Sequence, residues 1–377
     1  MATENRIKVK KDVYLWAINE SQKGFGEIKS KFKNIESWIN GEIHPTFRQL
    51  ESLANFLGVP LGYMFLEEPP RVNLIESEFR TIGNKIPEVS KDLQDTLYIM
   101  ARKKDWLSEH RREKGWNKLL YQDFNHLSKE NILPAKSYID LEEFWYKEHR
   151  DKDSAFKYLR QKFETKGIIV MQNGVVGSNN RRRLNVREFR GFLLYDDIAP
   201  LIFINSRDSK AGKIFTLVHE YIHFLLQEDD IFTNKDSDET AINMMTAEFL
   251  IPTSHIKELW DSGRPVLEQT EELAELFHVS QLAVAIKLKQ LDKISQNVVN
   301  AIKRQTEIAL RDREAERSQG MANYYYTNRS RLGDSFLGAV IQGAESGDIS
   351  YTYAFDLLGG SAKLYDYFKE EFIGYEG

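Results

Sequence analysis

Apolar positions along this chain recur mostly at spacings of three and four. Ile214, Phe215, Val218, Ile222 and Leu225 fall on one side of a helix and form a stripe broad enough to be buried. Ile242, Met245 and Phe249 give the next segment its core face, and Pro252 stops it. Near the start, Leu50, Leu53, Ala54 and Leu57 line one face of a further helix, with Gly41 and Gly58 as helix stops. A small sheet is expected around residues 168–205, and residues 289–320 alternate charges on a predicted long helix. A Tyr-rich tail follows from Tyr324. The predicted class is α+β, mostly α, with no internal repeat or low-complexity segment.

Composition narrows this picture. The 377 residues suffice for two or three domains, and 41% hydrophobic with 29% charged residues describes a globular chain. No apolar run approaches the roughly 18 residues that span a membrane, and the start, Met1 to Arg6, is polar, so a cytoplasmic location without a membrane partner is expected. The absence of cysteine excludes disulfides, a thiol nucleophile and a Cys-type zinc site. A net charge of −5 gives no global attraction to nucleic acid, so any DNA contact must be local.

The chemistry concentrates in His219-Glu220-Tyr221-Ile222-His223. Residues four apart share a helix face, so both imidazoles can grip one metal ion with Glu220 beside them as general base. The bland alternative is a helix with two surface histidines. Both histidines, however, lie along the edge of the buried stripe, where imidazoles need partners. A Glu one helix later is what a His-His-Glu site requires, and Glu239 is there, sharing a face with Asn243. Asp236-x-x-Glu239 also reads as a capping box. Glu228, Asp229, Asp230 and Glu248 are rival donors, although the acidic cluster after Leu226 reads as a solvated loop.

Lys213-Ile214-Phe215-Thr216-Leu217-Val218-His219-Glu220 with His223 resembles the RFTLAHELGH signature of the ImmA/IrrE family of zinc metallopeptidases. Glu239-x-x-x-Asn243 with Ala247-Glu248-Phe249-Leu250-Ile251-Pro252 resembles that family's ExxAN…AAELLMP segment. Ile242 and Met245 depart from it, apolar for apolar. Arg190-Gly191-Phe192 and Pro200 to Asn205 are similar to the family's short strand pair before the active helix. The resemblance implies a zincin-like peptidase core with a small sheet, Zn2+ held by His219, His223 and Glu239, and Glu220 as the catalytic base. Tyr195, Tyr221 and His255 are candidates for a further oxyanion donor.

The N-terminal segment carries a second resemblance. Ile35, Trp38, Gly41, Pro45, Leu50, Leu53, Ala54, Leu57, Gly58, Val59, Pro60 and Leu61 are similar to the pattern of an Xre/Cro-type helix-turn-helix, implying a five-helix N-terminal domain. The helix around Lys33 to Asn40 would then face the major groove, with Lys33, Asn34, Ser37 and Asn40 as DNA-binding candidates. Glu36 in its middle repels phosphate. A dimerisation or partner-docking module is the alternative.

The expected organisation is residues 1–70 as the helix-turn-helix domain, 71–137 as a helical connector, 138–255 as the peptidase domain and 256–377 as a C-terminal helical domain. Glu78-Phe79-Arg80-Thr81 resembles a connector of fused family members. Leu273 to Leu288 resembles the helical module that follows the family's peptidase core. Lys103-Lys104 and Arg111-Arg112 read as solvated helix faces, and Arg181-Arg182-Arg183 as a polar loop able to steer an acidic partner. The expected function is a zinc endopeptidase-type regulator that cleaves or binds a regulatory protein, such as a helix-turn-helix repressor, in a stress, mobile-element or defence circuit. The alternative is a DNA-binding regulator or the antitoxin of a toxin–antitoxin pair. Expected partners are that protein or a toxin, operator DNA, and a second copy of the chain in a homodimer.

Overall fold

A computed structural model describes residues 6–21, 23–57, 59, 61–69, 90–119, 124, 126–227, 236–316 and 324–373. The readings placed on Gly58, Pro60, Glu78 to Thr81 and Glu228 to Asp230 lie outside these residues. The chain forms two compact units, Met1–Asp95 and Thr96–Gly377.

In the first unit, α1 (Lys11–Glu20), α2 (Phe25–Lys31), α3 (Ile35–Ile39) and α4 (Phe47–Leu57) are followed by a 3-10 turn, Leu61–Phe65. Val13, Tyr14, Ile28, Ile35, Leu50 and Leu53 form its core. Thr46 and Gln49 open α4 reciprocally: the Thr46 N–H donates to Gln49 Oε1 (2.8 Å) and the Gln49 N–H to Thr46 Oγ1 (3.3 Å). Gly41, at φ +73°, ends the α3 turn in a conformation that favours glycine. The helix expected over 33–40 is shorter, so Lys33, Asn34 and Asn40 lie outside it.

The second unit is mostly helical around a small sheet. It begins within α5 (Lys91–Glu113) and continues through α6 (Leu133–Tyr138), a 3-10 turn (Trp145–Glu148) and α7 (Lys152–Thr165). The strands are β1 (Ile169–Asn173), β2 (Val175–Val176), β3 (Asn179–Arg183), β4 (Gly191–Leu194) and β5 (Leu201–Asn205). The main sheet runs β1-β5-β4, with β1 parallel and β4 antiparallel to β5. Alternation sorts its faces: Val170, Leu193, Ile202 and Ile204 join the core with Ile214, Leu217 and Tyr221, while paired Phe192 and Phe203 stack at 4.9 Å among the remaining side chains.

Helices α8 (Lys210–Leu226) and α9 (Asp236–Leu250) follow, then α10 (Thr253–Leu259), α11 (Val266–Leu276), α12 (Gln281–Gln290) and α13 (Gln296–Glu316). The tail forms α14 (Tyr324–Leu332), α15 (Asp334–Glu345), α16 (Tyr351–Leu358) and α17 (Ala362–Ile373). It is fastened to α7 and the sheet: Arg160 Nη1 donates to Ser330 O (2.7 Å) and Gln172 Nε2 to Ser330 Oγ (2.7 Å). Among the described residues no helix is long and apolar enough to cross a membrane.

Three readings in the second unit differ from the fold. The Arg181 to Arg183 triplet is strand β3, antiparallel to β2, rather than loop, because Gly177 at φ +54° turns the chain back on itself. Lys103, Lys104 and Arg111 are buried rather than solvated. Arg111 donates to Gly167 O (2.7 Å) and Ile198 O (2.9 Å) and lies 4.4 Å from the Trp116 ring, and Lys103 donates to Leu357 O. Both cations reach backbone carbonyls distant in sequence, which charge patterning along one helix cannot reveal. The long helix expected from residue 289 starts later, at Gln296: the preceding helix ends at Gln290, Asp292 takes φ +56° and the Lys293 N–H donates back to Leu288 O.

Candidate metal centre

Helix α8 carries the central motif and is fixed at both ends. The Ser209 hydroxyl accepts from the Gly212 N–H (2.9 Å) at its start, and Gln227 closes it in the left-handed region, φ +57°. Its core face is held by Tyr221, whose hydroxyl donates to Ala135 O (2.7 Å) and whose ring stacks on Phe163 at 4.6 Å. Tyr221 is thereby committed to the core and is no oxyanion donor. Gly191 sets the distance to the sheet: a Cβ there would fall 2.5 Å from Thr216 Cγ2 and 2.7 Å from Phe203 O. Only glycine admits this approach, a constraint the sequence reading missed because its signal is a steric gap rather than a polar group.

Helix α9 packs against α8 through Ile242, Met245 and Phe249, all buried. Asp236 is already helical, so the backbone pattern does not place it as the flanking cap of a box closed by Glu239. The Glu239 carboxylate faces the histidines instead. Its rival Glu248 is engaged elsewhere: it accepts from the Thr253 N–H (2.8 Å) and Oγ1 (2.6 Å) and pairs with Lys287.

The three side chains converge. His219 Nε2 and His223 Nε2 lie 3.2 Å apart, His219 Nε2 is 3.1 Å from Glu239 Oε1, and His223 Nε2 is 3.6 Å from Glu239 Oε2. Ligand atoms about 2.0–2.1 Å from a tetrahedral ion sit about 3.3 Å from one another, so this nitrogen–nitrogen–oxygen set has the span of a first coordination shell. His223 is wholly buried, His219 nearly so and Glu239 half-exposed, leaving the cluster open on the Glu239 side. The bonds from His219 and then His223 hold the Glu239 carboxyl well below the usual carboxylate range, so it is an anion at neutral pH. Asn243 Nδ2 approaches Glu239 Oε1 at 3.4 Å. Glu220, next to His219, is 3% exposed.

The other candidates have partners of their own. His255 is engaged with Tyr146 (Nδ1 to the hydroxyl, 2.9 Å) and Glu143 (Nε2 to Oε1, 3.2 Å). Tyr195 is half-buried, its ring 6.1 Å from that of Phe224. In the first unit, Lys33, Asn34 and Asn40 are exposed, whereas Ser37 donates to Glu42 Oε2 (2.8 Å). Glu36 pairs with Lys29 at 2.8 Å, which offsets part of its repulsion of phosphate.

Residues 163–289 match the Peptidase_M78 family model, described as the IrrE N-terminal-like domain. No curated protein matches the chain. The matched span contains the whole main sheet, α8 with both histidines, and α9 with Glu239. The part of the chain that carries the cluster is therefore similar to the IrrE N-terminal-like domain, a metallopeptidase-type domain.

Proposed function

We propose that this protein is a zinc-dependent endopeptidase that cleaves a specific regulatory protein, such as a helix-turn-helix repressor, and so acts as a regulator. One observation carries the reading: two imidazole nitrogens and a carboxylate within 4.8 Å of one another, on helices packed together, beside a buried Glu. A cysteine-free donor set of two His and one Glu suits Zn2+ with a position left for substrate chemistry. His219 and His223 would hold the ion through Nε2 and Glu239 through its carboxylate, whose charge partly neutralises it. Bound there, the ion supplies polarisation of the scissile carbonyl and acidification of a water molecule. Glu220 takes the proton of the attacking water on its carboxylate and delivers it to the leaving amine nitrogen.

The test is zinc content followed by turnover. Wild-type protein is expected to hold near-equimolar zinc, and His219→Ala and Glu239→Ala to lose it. Glu220→Gln should keep zinc and lose cleavage of a co-expressed repressor by roughly 100- to 10,000-fold. A wild type that takes up no zinc when metal is added defeats the proposal, as does a Glu220→Gln protein that cleaves normally.

Exposed Lys33, Asn34 and Asn40 support a targeting role for the first unit, in which it brings the peptidase to operator DNA. Binding driven by phosphate contacts must weaken steeply with salt and on Lys33→Ala. Affinity indifferent to both would remove DNA from this account.

A further inference from the structure

Residues 181–190 hold five arginines (Arg181, Arg182, Arg183, Arg187 and Arg190) and one acid, Glu188. That is a net charge of +4 in a chain of net −5, leaving −9 on the remainder. Arg181 and Arg183 are exposed on β3, and as alternate strand residues they face the same side, about 6.6 Å apart along the chain. Among the described residues neither makes an ion pair. Arg190 is steadied by Asp208 (3.1 Å), and its carbonyl accepts from the Asn205 N–H (2.7 Å).

The next residue, Gly191, opens β4, an edge strand of the main sheet, where a Cβ would fall 2.5 Å from Thr216 Cγ2 on α8. Thr216 is one helical turn ahead of Glu220. The arginine-rich ribbon thus runs from β3, through the turn of residues 184–190, to the strand that flanks the helix of the metal centre.

We propose that this ribbon docks an acidic, extended segment of the protein substrate; the proposal rests on the peptidase reading above. Guanidinium forks bind carboxylates in a bidentate manner, and arginines at alternate strand positions match alternate side chains of an extended peptide. A short acidic segment meets only the ribbon. A long duplex lying on the ribbon would also run over the rest of the second unit, which carries net negative charge that repels it.

The test is binding to full-length wild-type protein, read by anisotropy of three fluorescein-labelled probes. These are a Glu/Ser peptide, a Gln/Ser peptide of equal length, and a duplex DNA. The Glu/Ser peptide is expected to bind several-fold more tightly than the Gln/Ser peptide, and less tightly as salt rises. The double variant Arg181→Gln, Arg183→Gln should weaken it about three- to tenfold. Its melting temperature should stay unchanged, since both side chains are exposed. Equal affinity for the two peptides, an unaffected double variant, or duplex binding that the double variant weakens as much as it weakens the Glu/Ser peptide would overturn the proposal. Binding here needs no turnover. A protein that binds the acidic peptide but cuts nothing removes the peptidase reading alone, and cleavage indifferent to the two arginines removes only the docking ribbon.

Discussion

Replacing Gly191 with alanine probes the contact that sets the sheet against the helix of the metal centre. The added Cβ would lie 2.5 Å from Thr216 Cγ2 and 2.7 Å from Phe203 O. Ordinary carbon contacts are about 3.5–4.0 Å, so the first is short by about 1 Å or more. Neither neighbour yields cheaply. Phe203 O belongs to the central strand β5, paired on both sides, and Thr216 is a β-branched residue in a helix, stiff about χ1. Overpacking of this kind costs about 1–3 kcal/mol. Gly338→Ala, in α15 of the same unit, is the matched control. Its Cβ would meet only Phe372 ring carbons at 3.5 and 3.6 Å, an ordinary contact, and removing a mid-helix glycine should stabilise by about 0.5–1 kcal/mol. Urea titrations followed by circular dichroism read both variants in one transition. The expected result is a lower midpoint for Gly191→Ala and an equal or higher one for Gly338→Ala. A Gly191→Ala midpoint that matches wild type would refute the claim that close approach at this strand fixes α8. Zinc titration adds a second readout, because a shift at Thr216 is passed along the helix to His219 and should weaken metal binding.

Other perturbations test the buried charges. Burial lowers Lys103 to about 7 and Lys136 to about 8, so between those values and the ordinary lysine range the unfolded chain carries protons that the folded one lacks. Stability must then rise with pH above about 7, by at most about 1.4 kcal/mol per unit for each group, and Lys103→Met should flatten the rise in melting temperature between pH 7 and 9. A melting temperature independent of pH across that window would contradict the assignment. Arg111→Ala strips the donor from two buried carbonyls and should cost about 2–4 kcal/mol by denaturant titration; a loss below about 0.5 kcal/mol would show that water replaces it. In the metal centre, Glu239→Ala should abolish zinc binding while Glu248→Gln spares it, because Glu248 is committed to Thr253 and Lys287; zinc lost from both would reopen the identity of the third ligand.

Periodicity alone located what is local in this protein. The apolar spacing of Ile214 to Leu225 and of Ile242 to Phe249 marked two amphipathic helices, because burial of one face is written at intervals of three and four residues. The four-residue interval between His219 and His223 put both imidazoles on one helix face, since that interval is one helical turn. Two sequence-distant choices were left open by spacing. Whether Glu239 caps its helix or faces the histidines depends on how α9 packs on α8, and the tertiary arrangement brings its carboxylate to 3.1 Å from His219. Whether Glu248 competes depends on Thr253 and Lys287, the latter on a helix far along the chain. Lys103 and Arg111 escape a reading by charge pattern for the same reason: a long side chain patterned like a surface residue can reach a backbone carbonyl that only folding supplies. The turn at Gly177 that makes Arg181 to Arg183 a strand, and the steric gap at Gly191, are likewise properties of chains brought together. The sequence determined the elements and the chemistry each could offer. The fold decided which of those groups meet, because convergence depends on packing distances that no single element contains.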